Sequence, residues 1–160
     1  MKSKSTAIII AMLFAAFVAT GASAQTKQPN LTGTWKMNAE KSKFERGGPN
    51  EITLKLDHKD SSLSETLIIA SNNGDRTIEA KYTTDGKETT QEIRDRQNQT
   101  SAKWEGETLT IEWKAEGSTF SRKLTVSADG KTLTMIVNQS RPDGQSATDT
   151  VVLEKQEARK

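Results

Sequence analysis

Arg122 is the residue of this chain whose surroundings most invite chemistry. It alternates with Phe120 and Leu124, so on a strand it projects to the same side as those two apolar groups. A guanidinium on an apolar face needs an acid, a carbonyl or water, because an unpaired buried charge is expensive. Two roles meet that need. Arg122 either pairs with an interior acid, for which Glu65, in phase with Leu63 and Leu67, is a candidate, or anchors an anionic or polar ligand. Tyr82, Trp113, Phe120 and Met135 fall on the inward parity of their own segments. Together with Arg122 they form the candidate ligand-binding set, since ligand sites are mostly apolar with a few placed polar groups.

Other chemistry finds little to work with. The chain has no cysteine, which excludes thiol nucleophiles and a disulfide framework. Its one histidine, His58, stands in Asp57-His58-Lys59-Asp60-Ser61-Ser62 and reads as a solvated residue of a polar turn. Zinc needs three or four convergent ligands and a calcium loop a longer, glycine-bearing run; neither pattern is present, so no metal and no cofactor is expected. No pair of carboxylates stands out for acid and base work. The chain reads as a binder and not as an enzyme.

The elements that must position these residues are short alternating segments. Ile52, Leu54 and Leu56 share one face of Glu51 to Asp57, and Leu63, Leu67 and Ile69 one face of Leu63 to Ile69. Arg76 to Thr83 turns Ile78, Ala80 and Tyr82 inward; Leu109 to Trp113 turns Leu109, Ile111 and Trp113; Ser118 to Val126 turns Phe120, Leu124 and Val126. Lys131 to Val137 offers Leu133, Met135 and Val137, and Ala147 to Glu154 offers Val151 and Leu153. Asn73-Gly74, Asp85-Gly86, Glu116-Gly117, Asp129-Gly130 and Asp143-Gly144 supply the positive φ that tight hairpins require. Strands at this spacing with no long return connection predict an all-β fold, a small antiparallel up-and-down β-barrel of about 8–10 strands. The polar stretch Glu88 to Lys103 is expected to hold two strands, Thr89 to Ile93 and Thr100 to Trp104, joined by an exposed loop. One helical turn is expected around Ala39 to Lys43, ended by Gly47-Gly48-Pro49.

Residues 1–24 read as a signal peptide: Lys2 and Lys4, an apolar run from Ala7 to Val18, and an Ala22-Ser23-Ala24 cleavage site. The apolar run is shorter than the roughly 20 residues that cross a bilayer, so no membrane anchor is expected after cleavage. Residues 25–160 are then a single domain, periplasmic or secreted. The formal net charge of +2 belongs to Lys2 and Lys4, which leaves the remainder neutral, with acids and bases interleaved along its strands. Nucleic-acid binding wants a basic stripe, and none is present. Hydrophobic residues are only 32% of the chain, many of them in the leader, so the barrel has a thin core.

Asn30-Leu31-Thr32-Gly33-Thr34-Trp35-Lys36-Met37-Asn38, followed by Lys41-Ser42-Lys43-Phe44, resembles the opening strand of small exported bacterial lipocalin-like proteins of the calycin group. Gly106-Glu107-Thr108-Leu109 through Trp113, then Arg122-Lys123-Leu124, Asp129-Gly130-Lys131-Thr132-Leu133 and Val152-Leu153-Glu154-Lys155, are similar in order and spacing to the last strands of fatty-acid-binding proteins. The resemblance implies a barrel that encloses a ligand, with Trp35 closing its bottom and Arg122 where such proteins carry an interior arginine for a ligand carboxylate. The matching departs in two places. Val151 and Leu153 stand where those proteins have a final-strand Arg-x-Tyr pair, and Ala39 to Asn50 is too short for their two-helix lid, which implies a more open or smaller cavity. Two functions follow: an exported barrel binding a small apolar or amphipathic ligand inside, or a barrel with a filled core that works through its outer surface as a protein-interaction or envelope-associated module. The oligomeric state is not legible from the sequence.

Overall fold

The computed structural model describes residues 28–157; the leader expected over residues 1–24 lies outside them. Ten strands follow one another: β1 (Gly33–Met37), β2 (Glu51–Lys59), β3 (Ser62–Ala70), β4 (Arg76–Thr83), β5 (Thr89–Ile93), β6 (Arg96–Glu105), β7 (Thr108–Ala115), β8 (Ser118–Val126), β9 (Thr132–Ser140) and β10 (Ser146–Gln156). All ladders are antiparallel, and each strand pairs with its sequence neighbours except that β4 and β5 share no ladder. Pairing of β1 with β10 joins the two ends of the meander. The result is a nearly closed up-and-down barrel with a single gap in its wall, between β4 and β5.

Inward positions alternate with outward ones as the pleat demands. Leu54, Leu63, Leu109, Ile111, Leu124, Leu133 and Leu153 are fully buried. Trp35, also fully buried, donates its indole N–H to the carbonyl of Leu31 (2.9 Å), and the Lys155 ammonium lies 5.1 Å from its ring. These residues fill the end of the barrel away from the β1–β2 connection. That connection and the β3–β4, β5–β6, β7–β8 and β9–β10 turns surround the other end.

Three local expectations are corrected. The 94–99 stretch is no open loop: Ile93 pairs with Arg96, leaving a two-residue turn of Arg94 and Asp95 at φ 57° and 59°, and β6 begins at once. Most side chains of that stretch are exposed, but Asn98 and the following Thr100 are buried, because partners inside satisfy them. Asn98 donates to the carbonyls of Ile93 (3.3 Å) and Arg96 (2.8 Å), and Thr100 donates to that of Thr89 (3.3 Å). The helical turn expected around Ala39 to Lys43 is replaced by a single turn after which the backbone of Lys43 bonds both ways with Thr150 (2.7 and 2.8 Å). His58 is not in a turn but on β2, opposite Leu63. It is half-buried with its ring 5.7 Å from that of Trp104, because β2 keeps its inward parity two residues past Leu56.

The gap is closed by side chains. Gln91 on β5 accepts a hydrogen bond from the backbone N–H of Lys81 on β4 (3.1 Å) and donates to the Lys81 carbonyl (2.9 Å). A side-chain amide thus occupies the slot a neighbouring strand's peptide would fill. Its amide nitrogen also donates to Thr100 Oγ1 (2.7 Å). Below it, the backbone of Gly86 donates to the Ala102 carbonyl (2.8 Å). Asp85 ties this loop together, accepting from Thr83 Oγ1 (3.0 Å) and the Lys87 N–H (3.1 Å) and pairing with the Lys87 ammonium (3.0 Å).

Two predictions follow from these turns. The β7–β8 turn uses Glu116 and Gly117 at φ 44° and 77°, whereas the β5–β6 turn holds two side-chain-bearing residues in the same left-handed region, at a cost of roughly 1–2 kcal/mol each for most L-residues. Asp95→Gly is expected to raise stability by about 1 kcal/mol, read as a higher urea midpoint at unchanged slope. The Lys87 backbone and side-chain bonds lower the Asp85 pKa from 3.8 to about 2 on folding. Its contribution is therefore complete above pH ~4 and is lost as the pH falls towards ~2. Amide exchange at Gly86 and Lys87, corrected for intrinsic rates, should accelerate over that interval, while amides in β9 and β10 should not.

Candidate functional site

The barrel interior changes character halfway along its axis. Arg122, fully buried on β8, meets Glu65, 3% exposed on β3, across the lumen. The two form a bidentate pair, Nη1 to Oε1 at 2.7 Å and Nη2 to Oε2 at 2.8 Å, the planar fork-to-fork geometry that suits a guanidinium and a carboxylate. Tyr82 on β4 lies against the same guanidinium: its hydroxyl accepts from Arg122 Nη2 (3.4 Å) and from the indole N–H of Trp113 (2.8 Å). The guanidinium carbon sits 5.0 Å from the Trp113 ring centroid and 5.8 Å from that of Phe120, within range of cation–π attraction. Trp113 and Phe120 are register partners on β7 and β8 and stack tilted at 5.3 Å.

Charge states follow from this packing. Burial by itself works against a charged Arg122, but the Glu65 carboxylate and the Tyr82 oxygen more than offset it and hold the guanidinium above its ordinary pKa. Burial, reinforced by the Glu65 charge, pushes the Tyr82 phenol well above the usual tyrosine range. The cluster thus joins the Arg122–Glu65 ion pair, whose charges offset each other, to a phenol held in its neutral form.

Between this cluster and the end bearing the β1–β2 connection lies a cavity of about 300 Å³. Its wall is apolar: Ile52, Leu67, Phe120, Met135, Val137 and Val151 from β2, β3, β8, β9 and β10, with Ile69 and Phe44 nearer the mouth. Arg122 borders it from below, and Arg76 and Asp149 are among its polar lining residues. The 38–50 segment frames the opening as an extended strap. Lys43 pairs with Thr150, the Glu45 N–H donates to Asp149 Oδ1 (2.9 Å), and Arg46 Nη2 donates to the Ser146 carbonyl (3.2 Å). Phe44 packs against Gly48; a Cβ there would run into its ring, so only glycine lets the strap fold back beside Phe44 at this point.

The five residues singled out from sequence thus occupy three places. Phe120, Arg122 and Met135 line the cavity. Trp113 borders a separate polar cleft on the far side, shared with Ile93, Arg96, Asn98 and Pro142. Tyr82 lines neither and buttresses the ion pair. Parity alone could not foresee the split, because it depends on the Trp113–Phe120 stack acting as a partition. Sequence reasoning also passed over Phe44 and the strap as lining groups; the signal available was Phe44 ahead of Gly47-Gly48-Pro49 in an otherwise polar connection. Among the described residues no three or more histidine, aspartate and glutamate side chains converge as a metal site would require.

The pair generates a stability prediction. Removing one partner leaves the other charge buried alone, so Glu65→Leu and Arg122→Met should each destabilise the protein by about 3–5 kcal/mol. The double variant should recover most of that loss, because a buried ion pair and well-packed apolar replacements are close to equal in free energy. Denaturant unfolding of the four proteins measures the coupling; additive single effects would show that the pair does not act as a unit.

No protein-family model matches the chain and no curated protein matches its sequence significantly. Solved structures do resemble it. A secretary abundant heat soluble protein from Ramazzottius varieornatus superposes with a TM-score of 0.61 at 10% identity, covering 82% of this chain and 98% of the other. Fatty-acid-binding protein 1 of Echinococcus granulosus gives 0.55 at 18% identity, covering 79% and 98%, and the fluorescent protein UnaG gives 0.51 at 18% identity, covering 76% and 95%. At such identities the common property is the architecture, which is that of a calycin-type barrel.

Proposed function

We propose that the protein binds a small apolar or amphipathic molecule inside the barrel, and that it does so outside the cytoplasm after removal of residues 1–24. The observation that carries the reading is the cavity above the ion pair: one-ended, apolar-walled and about 300 Å³ in volume, at the lower limit of the roughly 300–1,000 Å³ typical of ligand clefts. Its size favours compact or medium-chain molecules over long lipids. Phe120, Met135 and Arg122 are the residues from the sequence reading that such a ligand would touch; Trp113 and Tyr82 would act through the placement of Phe120 and Arg122. The similarity to a fatty-acid-binding protein supports the same reading at the level of architecture.

The competing reading, a filled barrel working through its outer face, calls for an exposed apolar patch of a few hundred Å². Among the described residues Ile136 alone is an exposed large hydrophobic, at 37%. The neutral, polar outer surface therefore favours the interior site. The leader's lysines, apolar run and Ala-x-Ala step support export.

Titration of the purified protein with uncharged N-phenylnaphthylamine tests the binding reading. Saturable one-to-one fluorescence enhancement is expected, competed by medium-chain amphiphiles. Val137→Trp, which fills the cavity from β9, should weaken it at least about tenfold, or some 1.4 kcal/mol, while leaving the far-UV spectrum unchanged. A folded protein that shows no saturable enhancement would sink the reading.

A further inference from the structure

Among the described residues two basic side chains line the cavity, Arg122 at its inner end and Arg76 at its mouth. Their situations are opposite. Arg122 is fully buried, and both of its Nη groups are taken up by the Glu65 carboxylate at 2.7 and 2.8 Å. Arg76 opens β4 and shares the inward parity of Ile78, Ala80 and Tyr82, so its side chain leaves the strand on the lumen side. Its register partner on β3, Ile69, lines the same mouth. Arg76 is nevertheless exposed, because it stands at the rim, and it makes no ion pair with any described residue. Between the two arginines the wall is hydrocarbon: Ile52, Leu67, Phe120, Met135, Val137 and Val151.

On the reading that this cavity is the binding site, we infer that it takes single-chain anionic amphiphiles tail first, with Arg76 holding the anionic head at the mouth. Two effects set that orientation. An anion carried down to the floor would lose its hydration and meet a guanidinium whose charge Glu65 already offsets. An anion left at the rim keeps much of its water and meets a guanidinium without a carboxylate partner, whose planar fork suits sulfate, phosphate and carboxylate oxygens. The mouth also holds an acid, Asp149, inward on β10 in phase with Val151 and Leu153. Asp149 Oδ1 accepts from the Glu45 N–H (2.9 Å), which commits that carboxylate to the strap, and β1, β2 and β3 separate its strand from β4. Asp75, next to Arg76 in the chain, neither lines the cavity nor pairs with it. A head held outside need not fit inside, so the cavity of about 300 Å³ limits the tail and leaves the size of the head free.

Three probes with one tail and different heads test this: octyl sulfate, octyl glucoside and octyltrimethylammonium, each competed against N-phenylnaphthylamine below its micelle concentration. Octyl sulfate is expected to bind about fivefold tighter than the glucoside, and the cation more weakly than either. The advantage of the sulfate should shrink as salt is raised, since the contact is exposed. Arg76→Gln should abolish that advantage and leave glucoside affinity within about twofold; the position is exposed, so the variant should unfold at the wild-type denaturant midpoint. Nuclear Overhauser contacts in the octyl sulfate complex report the orientation: the terminal methyl should touch Met135 and Val151, and the methylene beside the sulfate should touch Ile69. A sulfate no tighter than the glucoside, an advantage that survives Arg76→Gln, a preference for the cation, or head-group contacts at Met135 overturns the inference while leaving a ligand-binding barrel intact. No saturable binding of any probe, N-phenylnaphthylamine included, removes the binding reading itself, and this inference with it.

Discussion

The pairing of Arg122 with Glu65 is the constraint on which the interior depends. β8 and β3 are not neighbours in the sheet; β2, β1, β10 and β9 lie between them, so the pair spans the lumen and not the wall. Both charges are withdrawn from water, and each is tolerable only because the other is there. Everything on the far side of the pair is packed, from Leu124 and Leu133 down to Trp35 and Leu31. On the near side the inward residues form walls around a space. The pair is a partition, and its position sets the depth of the cavity.

The barrel is also divided around its circumference. β1–β3 and β8–β10 contribute mostly aliphatic side chains, whereas β5 and β6 place Gln91, Asn98 and Thr100 inside. With so few large apolar groups available, the chain does not fill that side with hydrocarbon. It lines it instead with short polar side chains that bond one another and the backbone. The gap between β4 and β5 falls on this polar side, and that is consistent: Gln91 can replace a missing strand partner only because an interior amide there has Thr100 to bond as well. On the aliphatic side the same substitution would leave an amide without a full set of partners.

How far the sequence foretells this structure depends on which signal each residue carries. Alternation of aliphatic residues located β2, β3, β4, β8 and β10 to within a few positions, since one wet face and one dry face fix both period and phase. Alternation fails at Arg96 to Gln99, where the inward residues are polar. Nothing in residue type announces that Asn98 and Thr100 are satisfied internally. The same limit hides the role of His58, which continues the inward parity of β2 beside Trp104 but is read as polar. Of the site, the Arg122–Glu65 partnership was legible because both residues share parity with apolar neighbours on strands of known direction. The separation of Phe120 from Trp113 was not, because it arises from which side of a stacked pair faces the cavity, and stacking across a ladder has no signature along the chain.

The strap over the open end shows what the short β1–β2 connection accomplishes. A helical lid between these strands would have to be ordered or displaced when a guest enters, and ordering a segment costs free energy that binding must supply. Here the segment is already committed. Lys43 extends the sheet by pairing with Thr150, Ser42 Oγ accepts from the Val152 N–H (3.0 Å), and Asn38 donates to Glu154 (2.8 Å), so the strap runs along β10 as a partial extra strand. Phe44 is held over Gly48 by the same arrangement. A mouth framed in this way would select the guest of the proposed site by size and fit instead of by closure. Together with a floor whose guanidinium is already paired with Glu65, it places the discrimination of the proposed site in fixed geometry: width at Phe44 and length down to Arg122.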